Sequence, residues 1–439
     1  MSLAHQSADA ERLIRGIGPW ALTAFALNLT VGSGILGLPA RLQALVGNYS
    51  IAVIVVCGLL IALIALCFAE IGSRFARTGG PQLYASIAFG PAVGFATGWL
   101  LWISRLGTCA AVSNLLIDYG KVLVPELAQP VARAGTISIL VLAYTWINIR
   151  GIRQTAAVST AFTLCKLVPL VALAVTGVFF IEPQLIKFGP PPPATDLSAA
   201  VLLAGFAYFG FDATTVLAGE VRDPPRSIPF AILLSVCIVM LLYSLIQMVC
   251  VGTLPNLAAS ERPLADAATV MVGPWASVAI AVTAVIACVG VFGASMTPGT
   301  RLLFAMAAQR QLPTTLAHVH ARFHTPVLAI LVTAVAAWIL AVSGSFIYLV
   351  KVTLIARVSV YAITCLTLPL FRRRADLGAA AFKVPAGPLV AYGCAILCVV
   401  CLANSSMREL FDVALAVLIG LTIFGLTCLL RRAPVAHVT

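Results

Sequence analysis

Charge is what this chain has least of. Only 10% of its 439 residues are Asp, Glu, Lys or Arg, against about 25% in an ordinary water-soluble domain. Histidine is scarcer still, five in all, and none falls within a long apolar stretch. A membrane enzyme built on a nucleophile–base pair or a metal centre has no imidazole to work with there. The predicted external loops hold no cysteine, since nearly all of the twelve, among them Cys57, Cys109 and Cys288, sit inside apolar stretches. That excludes a disulfide framework. Cys394, Cys398 and Cys401 share one stretch without a neighbouring His or acid, which is a poor basis for a metal site, and no metal or other cofactor is expected. A channel would need a ring of like polar groups, and no such stripe exists.

Apolar residues fill the space that charge leaves. They make up 61% of the chain, and the mean hydropathy is +1.05. A membrane span needs roughly 20 mostly apolar residues at about 1.5 Å each. Twelve such segments can be read, near 17–42, 50–70, 91–118, 134–149, 156–181, 197–218, 227–252, 274–297, 326–342, 346–371, 388–404 and 410–430. The first is too long for a signal peptide and no cleavage site follows it. The expected fold is an all-α polytopic membrane protein with 12 transmembrane helices.

Basic residues orient such a chain, because Lys and Arg favour cytoplasmic loops. Placing the N-terminus inside assigns 17 of the 27 Lys and Arg to cytoplasmic segments and six to external ones. Every cytoplasmic segment then carries at least two, so both termini are expected inside. The net charge of +12 is mostly this topology signal, and no basic face for nucleic acid is implied.

Two of the apolar stretches are broken by glycine at mid-depth. Ile17 to about Leu42 carries Val31-Gly32-Ser33-Gly34-Ile35, and Leu197 to Ala218 carries Tyr208-Phe209-Gly210-Phe211-Asp212. Hydrocarbon supplies no hydrogen bonds, so unwound backbone survives only where it is buried or lines a cavity. Half-helix ends at that depth offer N–H groups to an anion and carbonyls to a cation. Such a pair in matching positions of two halves points to a transporter's substrate site. A weak repeat supports the pairing: Gly90-Pro91 follows the first break and Gly273-Pro274 the second, each opening an apolar span. Five spans separate the paired features, so the second unit is inverted relative to the first.

At these residues the chain resembles the amino acid permeases of the amino acid–polyamine–organocation superfamily. The resemblance rests on Asn28-Leu-Thr-Val-Gly-Ser-Gly-Ile-Leu-Gly-Leu-Pro39, Cys67-Phe-Ala-Glu-Ile-Gly-Ser-Arg74 and Thr78-Gly-Gly-Pro81. It extends through Asn148-Ile-Arg-Gly-Ile-Arg153, Phe206 to Asp212, Gly219-Glu-Val-Arg-Asp-Pro224, Ser227-Ile-Pro229, Arg301-Leu-Leu-Phe-Ala-Met306 and Leu312-Pro313. It implies a LeuT-like 5+5 inverted repeat with helices 1 and 6 broken and helices 11 and 12 appended. The expected divisions are a cytoplasmic tail 1–16, repeats over 17–181 and 197–371, the last two helices over 388–430 and a cytoplasmic tail 431–439.

The resemblance also implies roles. Gly32, Ser33 and Gly34 would hold an amino acid's α-carboxylate. Carbonyls of Thr30, Phe206 and Phe209, beside Gly210, would hold its α-ammonium, with Phe206 as an aromatic lid. Helix packing is the bland alternative for glycine in a membrane, and Gly98 and Gly107 read that way. Phe206, Phe209 and Phe211 as apolar walls favour a small or apolar amino acid, ahead of a cationic or acidic one. Lys166, about eleven residues from Thr155 and so ~17 Å deep, matches a Lys that sodium-independent relatives carry where others bind sodium. A tethered ammonium can replace that ion and also exchange a proton; the alternative is a Lys stretched towards the cytoplasmic interface. Lys351, near the external end of its span, can snorkel and is given no function. Asp212 reads as an N-cap on the next half-helix, with proton coupling or a substrate contact as alternatives. Arg105 and Arg357 lie too deep to snorkel and must face the interior, in structural pairs with carbonyls or, as the second reading, against an acidic side chain of the substrate.

The function expected is a secondary active transporter in the cell membrane, that of a bacterium, moving an amino acid or related amine by alternating access. It would be sodium-independent and proton-coupled, and monomeric or a weak homodimer in the lipid bilayer. Exchange, uniport and a transporter-like nutrient sensor are the alternatives.

Overall fold

The computed structural model describes residues 13–343, 346–403 and 407–432. The ends of both tails, Arg12 included, and the side chains of Ser33 and Lys351 lie outside the described residues. Among the described residues sixteen α-helices succeed one another. They are α1 (Pro19–Thr30), α2 (Ser33–Val46), α3 (Ser50–Gly72), α4 (Pro81–Phe89), α5 (Pro91–Leu123), α6 (Pro130–Arg150), α7 (Ile152–Gly177) and α8 (Ala194–Ala207). Then come α9 (Ala213–Val216), α10 (Pro224–Thr253), α11 (Pro263–Val272), α12 (Trp275–Ala308), α13 (Val327–Val342), α14 (Phe346–Arg373), α15 (Gly387–Ala403) and α16 (Met407–Arg432). Among the described residues there is no strand, and the single bridge of β type pairs Ile17 with Val221.

Among the described residues eight helical stretches are long and apolar enough to cross a membrane, and α8, α11, α13 and α15 are shorter apolar helices. The outer faces match a lipid solvent. Ile139, Leu142 and Trp146 of α6, Val168 of α7 and Ile396 of α15 are exposed large hydrophobics, a pattern that would be a liability in water. This is a multi-pass membrane protein.

Close approach at small residues packs the interior, as expected where lipid removes the usual hydrophobic driving force. Gly98 of α5 lies against Gln82 of α4, whose Cγ would be 2.5 Å from an added Cβ. Gly293 of α12 receives the ring of Tyr144 from α6. Proline opens many helices, at Pro19, Pro81, Pro91, Pro130, Pro224 and Pro263. Its missing N–H costs nothing in a first turn. At the core, α1 packs on α7, α10 and α12, while α12 and α14 both pack on α5.

Candidate functional site

Both glycine-broken segments are broken in the structure. Helix α1 ends at Thr30, with the Val31 N–H on the Leu27 carbonyl, and Gly32 is extended before α2 begins at Ser33. Ser33 and Gly34 thus open a helix, where N–H groups have no intrahelical acceptor. Helix α8 ends at Ala207 and the chain turns through Tyr208 to Asp212. No second half-helix of comparable length succeeds it: α9 is four residues long and passes into a 3₁₀ turn over Ala218–Glu220.

The two breaks meet main chain to main chain. Gly210 has φ +150°, and a Cβ there would lie 2.5 Å from Thr30 Oγ1 and 2.8 Å from the Thr30 nitrogen. Only glycine fits this crossing. Gly34 faces Ala207 at ordinary contact distance, and Gly32 faces Val291 of α12. Of the expected ammonium-binding carbonyls, Thr30 already accepts from Tyr243 Oη at 3.0 Å and Phe206 from the Phe209 N–H at 3.3 Å. Each keeps a second lone pair. Tyr243, on α10 and fully buried, also donates towards the Ala207 carbonyl at 3.3 Å. One hydroxyl therefore serves the ends of α1 and α8 together. Reasoning from sequence missed this residue; its only signal was a phenol in an apolar span, which must find a partner when buried.

Lys166 is wholly buried and its ammonium donates to the Asn28 carbonyl, 2.5 Å away in the last turn of α1. It does not stretch to an interface. Asn28 itself ties α1 to its neighbours, donating to Ser159 Oγ at 2.9 Å and to the Gly290 carbonyl at 3.1 Å. Thr163 adds a bond to the Ala24 carbonyl at 2.8 Å. Helix α7 is thus stitched to α1 along one face, with Lys166 at the carbonyl end.

Asp212 does not cap α9, which corrects the sequence expectation. Its backbone is already helical, no side-chain cap bond forms, and the carboxylate is turned to other helices. Arg105 of α5 pairs with Oδ2, and Tyr361 Oη of α14 donates to Oδ1 at 2.8 Å. The guanidinium, 107 positions away along the chain, offers the carboxylate a full opposite charge, where local N–H groups offer only the partial charges of a helix end. Arg105 therefore has a carboxylate partner rather than carbonyls. Arg357 does not: its Nε donates to Ser104 Oγ at 3.1 Å and Nη2 to Thr108 Oγ1 at 3.5 Å.

The aromatic walls are two rather than three. Phe206 is half-buried and meets Phe209 edge-on at 6.2 Å between ring centres. Phe211, beyond the turn at Gly210, is fully buried between Phe68 and Tyr361 at 5.4 Å from each. It belongs to the packing behind the site. Cys394 likewise meets other partners than Cys398 and Cys401, lying with Cys67 and Cys365 so that all three sulfurs are within 4.8 Å. Buried thiols of this kind pack as small hydrophobes.

Three of the sequence motifs converge below the second break. Arg301 makes a bidentate pair with Glu220 at 2.9 and 3.0 Å and reaches Asn148 Oδ1 at 3.2 Å, all buried. The Glu220 carbonyl accepts from the Ile17 N–H at 3.0 Å, and the Arg222 N–H donates to the Ile17 carbonyl at 2.8 Å. The start of α1 is thereby fastened to the chain that leaves α9.

Broken helices that cross through their backbones, with ionisable groups at their ends, define a membrane transporter rather than an enzyme. Comparison with known proteins agrees. Residues 17–424 match the amino acid permease family, and the chain belongs to it. It is similar to the methylthioribose transporter of Bacillus subtilis, 26% identical over 87% of each chain. Against the branched-chain amino acid permease of that organism, identity is 24% over 96% of this chain and 94% of the relative. The large neutral amino acids transporter small subunit 2 of Oryctolagus cuniculus is 28% identical over 73% of this chain and 63% of its own.

Proposed function

We propose that the protein is a secondary active transporter that moves an amino acid across a bacterial inner membrane by alternating access, without sodium and coupled to protons. The reading is carried by the crossing of two broken helices at Thr30 and Gly210, with Lys166 seated on the Asn28 carbonyl. In this reading the twelve apolar segments are twelve spans with both termini cytoplasmic, and residues 17–181 and 197–371 are inverted repeats. Residues 388–430 form the last two helices, and the protein works as a monomer or weak homodimer.

The substrate's α-carboxylate meets the free N–H groups of Ser33 and Gly34 at the start of α2, aided by Gly32 and by the helix dipole. Its ammonium lies by the carbonyls of Thr30, Phe206 and Phe209, under the Phe206 ring. Lys166 stands in for sodium, since an ammonium donates where the ion would be coordinated. Lys166 and Asp212 are the ionisable groups at the two breaks and so the candidates for proton exchange. The family relationship supports an amino acid as cargo: two of the three relatives carry amino acids in their names.

Uptake of a panel of labelled amino acids into proteoliposomes in sodium-free buffer, with and without a pH gradient, tests this. Accumulation should follow the proton gradient and need no sodium, and Lys166→Ala should lose it while remaining folded. A strict sodium requirement, or full activity of Lys166→Ala, would refute the role of Lys166. Uptake that ignores the pH gradient but needs internal substrate would replace symport by exchange.

A further inference from the structure

The charges buried around the second break do not cancel. Arg105, Lys166, Arg301 and Arg357 are all buried in the bundle. Glu220 neutralises Arg301 and Asp212 neutralises Arg105. Lys166 rests on a carbonyl at the end of α1, where the helix dipole is negative. Arg357 is 3% exposed; its hydrogen bonds go to the Ser104 and Thr108 hydroxyls and its guanidinium lies over the Phe209 ring, contacts that orient the group and ease its burial without supplying an opposite formal charge. Asp212 accepts from Arg105 and Tyr361, and among the described residues no ion pair joins it to Arg357. Arg105 lies near enough to Arg357 to repel it, and its own Nε and Nη1 are buried without an acceptor. Four cations thus face two carboxylates; of the two left over, Lys166 has a helix end to offset it and Arg357 has none, in a low dielectric where charge is felt most strongly.

Its position is that of a wall of the candidate site. The Arg357 guanidinium carbon lies 5.7 Å from the centre of the Phe209 ring. Phe209 stands in the second break and touches Phe206. The cation therefore lies one aromatic ring away from the chain of the second break. An arginine placed to hold the bundle together would close on a carboxylate or on free carbonyls. This one is held by hydroxyls from a single helix, Ser104 and Thr108 being one turn apart on α5.

We propose that the substrate itself brings the missing negative charge: the cargo is an amino acid whose side chain ends in a carboxylate, met by Arg357. The inference rests on the transport reading above and narrows its substrate class. The α-carboxylate goes to the first break and the side-chain carboxylate to the second, with the apolar stem between Phe206 and Phe209. Arg105 adds to the positive field without leaving Asp212. The apolar walls, which alone favour a small or apolar amino acid, then hold only the stem.

Purified protein in sodium-free proteoliposomes, offered labelled L-glutamate, L-aspartate, L-glutamine and L-leucine, gives the test. Glutamate and glutamine differ in little but the charge at issue. The unmodified protein should take up glutamate or aspartate with an apparent affinity at least about tenfold better than glutamine. Arg357→Gln should bring the glutamate and glutamine affinities to within about twofold, and Arg357→Lys should keep part of the preference as a point charge. Equal affinity for glutamate and glutamine in the unmodified protein, or a preference for leucine, overturns the proposal while leaving amino acid transport intact. So does a folded Arg357→Gln that keeps the tenfold preference. If monodisperse protein takes up no amino acid at all, the transport reading fails and this one with it. The comparison on the unmodified protein decides the matter even if neither Arg357 variant folds.

Discussion

Asp212 stands immediately before α9, where a carboxylate ordinarily accepts from the first free N–H groups of a helix, yet it faces Arg105 and Tyr361 instead. The consequence for substitution is a reversal. A capping aspartate tolerates asparagine; a buried carboxylate opposite a buried guanidinium does not, because the remaining charge is left without compensation. Asp212→Asn should cost about 3–5 kcal/mol, read as a lower melting temperature in detergent, and the double variant with Arg105→Gln should recover part of the loss. An unchanged melting temperature would mean that the pair is not formed in solution. This contact was illegible in sequence because its members are 107 and 149 positions from Asp212. A local rule had only the next four residues to consult. Lys166 was more legible: a lysine eleven residues into an apolar span has few places to put its charge, and the resemblance pointed to the one it takes.

At the scale of the element, the two breaks were readable because glycine interrupts a long apolar run at mid-depth in each, and both breaks fall where the glycines stand. The conformation beyond the second break was not readable. Hydropathy continues smoothly through Ala218, but the chain there is one α-turn and a 3₁₀ turn, since backbone bonding rather than apolarity decides that segment. The glycines of the site also differ in ways that composition hides. A Cβ at Gly210 would meet backbone at 2.8 and 3.0 Å at a positive φ, whereas one at Gly34 would meet only Ala207, at 3.4 Å. Gly210→Ala should therefore destabilise by more than about 1 kcal/mol and reduce the monodisperse yield. Gly34→Ala should fold normally, and Gly34→Leu should fold yet lose binding by blocking the N–H groups of α2. Wild-type behaviour of Gly210→Ala would show that the two breaks do not touch in the folded protein.

For the whole molecule, hydropathy carried the succession of apolar helices. Hydropathy over some twenty residues is a strong signal, and each apolar segment falls on one helix or on a broken pair. That signal omits how the ends of the bundle are tied. Ile17, Asn148, Glu220 and Arg301 come from four distant parts of the chain and meet in one buried knot. Arg301→Gln should leave Glu220 unpaired and cost about 3–5 kcal/mol. Hydrogen exchange should then quicken at residues 13–22 and 217–222 together, rather than in either alone. Faster exchange in only one of the two would show that the knot does not join them.

The crossing at Thr30 and Gly210 has a consequence for how such a protein can diversify. Main chain touching main chain carries no information about cargo, and it asks for nothing but a missing Cβ at one position. In the reading proposed above the cargo is chosen by the side chains of Phe206, Phe209 and Arg357, none of which supplies the contact between Thr30 and Gly210. On that reading a lineage can change what it carries by altering a few side chains while the crossing stays constant in shape, much as one lock body accepts many sets of pins.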